Sequence, residues 1–288
     1  MKFILEPSSL ILVLKLYFPF ISLLLFRMNI SRRNRLKKTR GKTIRLTGGQ
    51  QKTITQDGVT YQGADIFIIN SWKGNDYVVL FELKDKTGKP YYQMPGGRCE
   101  TAHKFVEDTI HDELWEESRK SIKISIPIFK EMSSLGKYVD YDGDSKAGLP
   151  GKRRCFVCKA NKISQTTYDL NKKVLDKLTS LENDVDQGKP PGYYATQYKA
   201  FLETKSMKRI ALTSLEESNR EMIKQHGLDD GRSRMIDGVW VNKFVITAYI
   251  KSKGKNLIAD PYRLSSKTHK EGPNENDYKI IGKCDYYE

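Results

Sequence analysis

Cysteine is scarce in this chain, at four of 288 residues. Four irregularly spaced thiols exclude the disulfide framework of a small secreted domain and suit a reducing compartment. Cys155-Phe-Val-Cys158 is a CxxC pair, but no second pair or neighbouring histidine completes a zinc site, and Phe156 and Val157 make it read as a strand. Histidine is equally thin: positions 103, 111, 226 and 269 are scattered, and no Ser-His-Asp or Cys-His constellation is indicated. P-loop and dinucleotide fingerprints are absent, as are internal repeats. Residues 28–50 lack acids and aromatics altogether, which excludes base stacking there.

Positive charge is what the chain has in excess. The formal net charge is +15, and residues 1–50 hold eleven Lys/Arg against Glu6 alone, or +10 of it. The basic arm, 28–52, reads as disordered and suited to an anionic polymer such as a phosphate backbone, or to an anionic membrane surface. Ahead of it, residues 8–26 are almost wholly apolar, interrupted by Lys15 and Pro19. Three readings stand for residues 1–27: a single-pass anchor with the remainder facing the cytoplasm, a cleaved signal peptide, or sequence upstream of a true start at Met28. The signal peptide is disfavoured, because no small-residue cleavage site precedes the arm.

From Thr53 strands dominate, and residues 53–250 read as the folded domain. Residues 64–69 and 77–83 are β-rich apolar runs separated by a turn at Trp72-Lys-Gly-Asn-Asp. A second turn at 84–90 leads to Tyr91-Tyr92-Gln93-Met94 and then Pro95-Gly96-Gly97-Arg98-Cys99-Glu100. Proline and paired glycines stop the strand and open a loop. A helix is predicted over 102–119, with Val106, Ile110 and Leu114 as its apolar stripe. On its other side Glu113, Glu116 and Glu117 stand at i, i+3 and i+4. Three carboxylates sharing one side repel one another unless a hard cation, Mg²⁺ or Mn²⁺, binds them; Glu100 could add an oxygen from the loop. A solvated acidic helix is the plainer alternative, but it does not account for the Pro-Gly-Gly-x-x-Glu loop ahead of it.

These residues resemble the Nudix box, G-x5-E-x7-R-E-U-x-E-E-x-G-U with U aliphatic, over roughly residues 60–160. The resemblance implies an α/β/α sandwich with a mixed sheet, and cleavage of a nucleoside diphosphate linked to another moiety. By position, Glu113, Glu116 and Glu117 match the carboxylates that ligate Mg²⁺, one of them able to act as base, and Gly96 and Gly97 match the loop glycines. Asp112 stands where the family has arginine, and Arg119 where it has the closing glycine. The spacing from the glycines to Glu113 is one residue longer than in the family's box, and Glu107 is the nearest stand-in for the x5-E glutamate. A capped RNA end is a further candidate substrate, held by the arm. The Lys- and Asn-rich composition also resembles that of proteins of large DNA viruses, some of which carry decapping Nudix enzymes. A catalytically inactive nucleotide- or RNA-binding module, with or without a membrane tether, is the rival reading.

Further along, residues 122–128 alternate isoleucine and read as a strand, with further strands near 137–141 and 154–158. Asp140, Asp142 and Asp144 alternate like a calcium loop but lack its glycine and closing glutamate, so a solvent loop is expected. A helical insertion is expected over about 160–206, where Leu170, Val174, Leu175, Leu178 and Leu181 keep helical spacing and Tyr193, Tyr194 and Tyr198 follow. Residues 208–212 read as a strand and Thr213-Ser-Leu-Glu216 as a capping box opening a helix to about Gln225, with Glu216 and Glu217 on its surface. Residues 239–250 read as one more strand, and the tail 251–288 as loosely held.

Overall fold

Long apolar runs without polar alternation mean strands covered on both faces, and the computed structural model bears this out. It describes residues 52–119, 121–143, 150–160, 163, 168–169, 172–173, 176, 201, 203–226 and 232–264. All belong to the unit Leu46–Glu288. The candidate anchor and arm, Asp144, the leucines of the expected insertion, Tyr193, Tyr194 and Tyr198 lie outside the described residues.

Among the described residues eleven strands form one mixed sheet. They are β1 (Ile54–Gln56), β2 (Val59–Trp72), β3 (Asn75–Lys84), β4 (Pro90–Gln93), β5 (Gly96–Arg98), β6 (Tyr138–Asp142), β7 (Lys152–Ala160), β8 (Met207–Ala211), β9 (Arg234–Ile236), β10 (Val239–Val241) and β11 (Tyr262–Arg263). β2 runs parallel to β7 and antiparallel to β3; β3 pairs in turn with β4 and β8. Short β5 folds back on β2, setting Gly63 opposite Arg98, Ala64 opposite Gly97 and Asp65 opposite Gly96.

Among the described residues the two faces are covered by α1 (Val106–Glu117), α2 (Ile126–Ser134), α3 (Leu212–His226) and α4 (Lys243–Gly254). The period of two along each strand divides its residues between two cores. Ile66, Ile68, Val79, Phe81, Phe156 and Cys158 pack with Val106, Ile110 and Leu114 of α1 and Phe129 and Met132 of α2. Phe67, Ile69, Val78, Leu80, Cys155 and Val157 pack with Leu215 of α3 and Val245, Ile246 and Tyr249 of α4. The protein is an α/β/α sandwich. Cys155 and Cys158 belong to opposite cores, so the CxxC cannot hold one ion or close on itself; both thiols are buried and free.

Four expectations need correction. Residues 122–128 are not a strand: Ile122 and Ile124 are buried in an irregular segment, and Ser125 caps α2, whose first turn holds Pro127. Proline lacks the N–H that a strand ladder needs and fits a helix's first turn. Residues 239–250 divide at Asn242, whose Oδ1 accepts the Phe244 N–H at 3.0 Å and starts α4 after the three residues of β10. Asp140 and Asp142 lie on β6 rather than in a loop, and Asp140 receives Arg154 Nε at 3.1 Å and the Tyr61 hydroxyl at 2.8 Å. Beyond Lys251 the chain stays ordered to Leu264, with Leu257 and Leu264 buried and β11 paired parallel to β7.

Phe156 is fully buried, edge-on to Phe129 at 5.1 Å, and it joins β7 to α2. Phe156→Ala should cost about 3–5 kcal/mol, read as a lowered urea midpoint with unchanged slope. A loss under 1 kcal/mol would count against this core.

Candidate carboxylate site

The site is built where β5 meets the last two turns of α1. Asp108 starts the helix by accepting the Lys104 and Phe105 N–H groups at 2.8 and 3.0 Å. The Val106-Ile110-Leu114 stripe then docks it on β2, which turns Glu113 and Glu117 toward the glycine loop. Glu117 is buried and its Oε2 accepts the Gly96 N–H at 2.8 Å. Glu113 lies flat against Gly97: a Cβ there would stand 1.9 Å from Glu113 Oε1. A Cβ on Gly96 would meet Asp65 Oδ1 at 2.3 Å and the Ala64 carbonyl at 2.4 Å. The glycine pair is therefore required by close approach on both sides.

Low-dielectric surroundings and repulsion by neighbouring acids raise all three carboxyls. Burial is the largest cause for each. Glu113 is pushed well above the ordinary range by burial, then by Glu117 and Glu116. Glu116 is raised to about 7, with Asp112, Glu203 and Glu100 adding to burial. Glu117 is raised to about 8 by burial, with Asp65 and Glu203 adding to it against the Gly96 N–H. Glu100 and Glu203 thus feed the same negative region; Glu203 was not singled out in the sequence.

Beneath the loop sits a cation that sequence reasoning also passed over. Arg153 of β7 is buried and bidentate to Asp65, with Nε to Oδ2 at 2.6 Å and Nη2 to Oδ1 at 2.5 Å. Its Nη2 also donates to the Gly97 carbonyl at 3.1 Å, and the Tyr141 hydroxyl completes Asp65 at 2.5 Å. Arg153 lowers the carboxyls of Glu113 and Glu117, a minor influence beside burial. An arginine inside a strand carries no periodic signal, so only the fold reveals it.

The remaining positions fall elsewhere. Glu107 points away from the carboxylates; its side chain receives Gln56 Nε2 at 3.2 Å and Ser133 Oγ at 2.5 Å, tying α1 to β1 and α2. Asp112 faces His111 at 2.8 Å and His103 at 3.4 Å. Burial works upward on it, but those two partners prevail and hold it at about 2. His103 otherwise serves the loop, accepting the Glu100 N–H at 3.1 Å. Glu216 pairs with Lys253 at 2.6 Å on the far side of the sheet.

Among the described residues no group of three His, Cys, Asp or Glu side chains closes on a common point that a metal could occupy. The donor chemistry suits a hard divalent ion nonetheless. Glu113, Glu116 and Glu117 offer oxygen alone, and their raised pKa values mark negative charge that the protein leaves largely uncompensated.

Two outcomes follow. A carboxyl raised in the fold binds its proton more tightly there than in the unfolded chain, whose value is near 4.5. Its contribution is present below that value and lost as pH rises through about 7 to 8. The metal-free melting temperature should fall from pH 5.5 to pH 8, and Mg²⁺ or Mn²⁺ should restore it at pH 8 more than at pH 5.5. A flat profile, or equal metal effects, would contradict the uncompensated cluster. Arg153→Met should cost about 3–5 kcal/mol, because it strands Asp65 in the interior; chemical denaturation measures this, and a loss below 1 kcal/mol would deny the pair its role.

No protein-family model and no curated protein matches the chain. Solved structures resemble it in part. An Ap4A hydrolase from C. elegans in a binary complex is 12% identical over 58% of this chain and 87% of its own, at a TM-score of 0.31. The NUDIX domain of Shewanella oneidensis NrtR, complexed with ADP ribose, is 12% identical over 57% and 84%, at 0.29. A mutT/nudix family protein from Listeria innocua is 14% identical over 69% and 94%, at 0.30. At TM-scores this low the likeness assigns nothing, and what the site can do follows from its own side chains.

Proposed function

We propose that the protein is a Nudix-type hydrolase, dependent on Mg²⁺ or Mn²⁺, that cleaves a phosphoanhydride bond in a nucleoside diphosphate derivative. The observation that carries this reading is the packing of Glu113 and Glu117 on the Gly96–Gly97 loop, with Glu116 on the same side of α1. Carboxylates on a solvated helix need no such loop. Glu113, Glu116 and Glu117 would hold the ion, which when bound neutralises phosphate charge and lowers the pKa of an attacking water. Gly96 and Gly97 bring backbone close to the carboxylates without a side chain in the way. Arg153, fixed by Asp65, which the Tyr141 hydroxyl holds in turn, keeps the loop carbonyl of Gly97 in place. One of the three carboxylates takes the proton of the water. A capped RNA end is the narrower substrate proposal, supported by the +10 balance of residues 1–50.

Asp112, directed to two histidines where the box has arginine, favours a second reading: a module that binds nucleotide or RNA without turnover. Incubating the chain with Mg²⁺ or Mn²⁺, dinucleotides, sugar nucleotides and capped RNA separates the two. Metal-dependent release of a mono- or diphosphate product supports the hydrolase, and Glu116→Gln with Glu117→Gln should lower it at least about 10³-fold with the fold intact by circular dichroism. Binding without product supports the module. Undiminished turnover in the double variant would sink the site.

A further inference from the structure

Helix α1 ends on a residue in the left-handed region: Arg119 has φ of 53°. A side chain there costs about 1 kcal/mol relative to glycine, so the guanidinium must return something. It is 1% exposed and stacks over the Tyr168 ring at 4.4 Å. Its Nη2 donates to the Thr204 carbonyl. Thr204 is fully buried, and its hydroxyl donates to the Glu117 carbonyl at 2.8 Å while standing 2.8 Å from the Tyr168 hydroxyl. That carbonyl is one of the four that a helix C-terminus leaves without an intrahelical partner. On its other side the segment is clamped to β3, with Lys205 N–H to the Glu82 carbonyl and Glu82 N–H to the Ser206 carbonyl, both at 2.8 Å.

We infer that Arg119 is a positioning residue. Through Thr204 it fixes the last turn of α1, and so Glu116 and Glu117, against the 203–206 segment. This knot also seats Glu203 next to Thr204 at the edge of the carboxylate region. The inference rests on the proposed hydrolase site for its functional consequence, but its mechanical content stands on the hydrogen bonds alone. Restoring the box's glycine would relieve the backbone and still loosen the site.

Arg119→Gly, Arg119→Lys and Thr204→Val test it in the full chain by three readouts. Mn²⁺ titration should show about tenfold weaker binding for Arg119→Gly and Thr204→Val, and kcat should fall about tenfold with KM within twofold. Arg119→Lys, which keeps a donor for the Thr204 carbonyl, should recover most of both. The Arg119→Gly/Thr204→Val double variant should lose little more than the worse single one, since the two bonds act in series through Thr204. Amide hydrogen exchange should quicken in residues 113–119 and 203–206 of either single variant and stay unchanged in α4. Wild-type Mn²⁺ affinity and turnover in Arg119→Gly, or multiplied losses in the double variant, would overturn the inference. If the wild-type chain neither binds Mn²⁺ nor hydrolyses anything, the proposed function fails by itself and exchange decides the positioning claim. Quickened local exchange upholds that claim, and unchanged or uniformly quickened exchange defeats it.

Discussion

The buried pair between Asp65 and Arg153 is the constraint around which the site is assembled. β2 and β7 lie side by side and parallel, with a register shift between Tyr61 and Gly63 that sets Arg153 opposite a glycine. A Cβ at Gly63 would fall 2.7 Å from an Arg153 nitrogen and 2.3 Å from the Gly97 carbonyl. The guanidinium therefore reaches β5 only because Gly63 leaves room. A buried ion pair is no more stabilising than a well-packed apolar pair of the same size. What it contributes is direction: it ties three strands to one another at the level of the loop on which Glu113 and Glu117 rest.

The two cores were legible because hydrophobic runs of five to seven residues have few other uses. Residues 64–69, 77–83 and 154–158 each became strands buried on both faces. The misread elements share a cause. Alternating isoleucines at 122, 124, 126 and 128 satisfy a period of two, but 124 and 128 are also i and i+4, and Ser125 with Pro127 decided for a helix. Asn242 interrupts an apolar run in the same way, its short polar side chain giving the backbone a cap in place of a ladder partner. The acidic helix and the glycines could be read because they are local. Arg153, Asp65 and Thr204 could not, because each acts across more than eighty positions of sequence.

The departures from the Nudix pattern acquire physical accounts. Arg119 keeps the backbone conformation for which a glycine is suited and uses its side chain to pin a segment that a minimal box does not have. Glu107 is engaged by Gln56 and Ser133, so it braces α1 rather than extending the carboxylate set. At Asp112 the change is one of sign, and its carboxylate turns to His111 and His103. The cation near the carboxylates comes instead from β7.

That cation is already committed. Asp65, itself held by the Tyr141 hydroxyl, engages Arg153, so its charge does little for Glu113, Glu116 and Glu117, whose carboxyls stay raised by burial and by neighbouring acids. The chain as a whole carries +15. A polyanion is thus drawn to the molecule at long range and opposed at the carboxylates at short range, where low dielectric strengthens repulsion. Protons relieve that repulsion as long as pH stays below about 7 to 8, the range to which the fold raises Glu116 and Glu117. Under the proposed function a divalent ion entering with the phosphates would displace those protons and satisfy the oxygens that the fold leaves crowded, which is why the metal effect is expected to grow with pH.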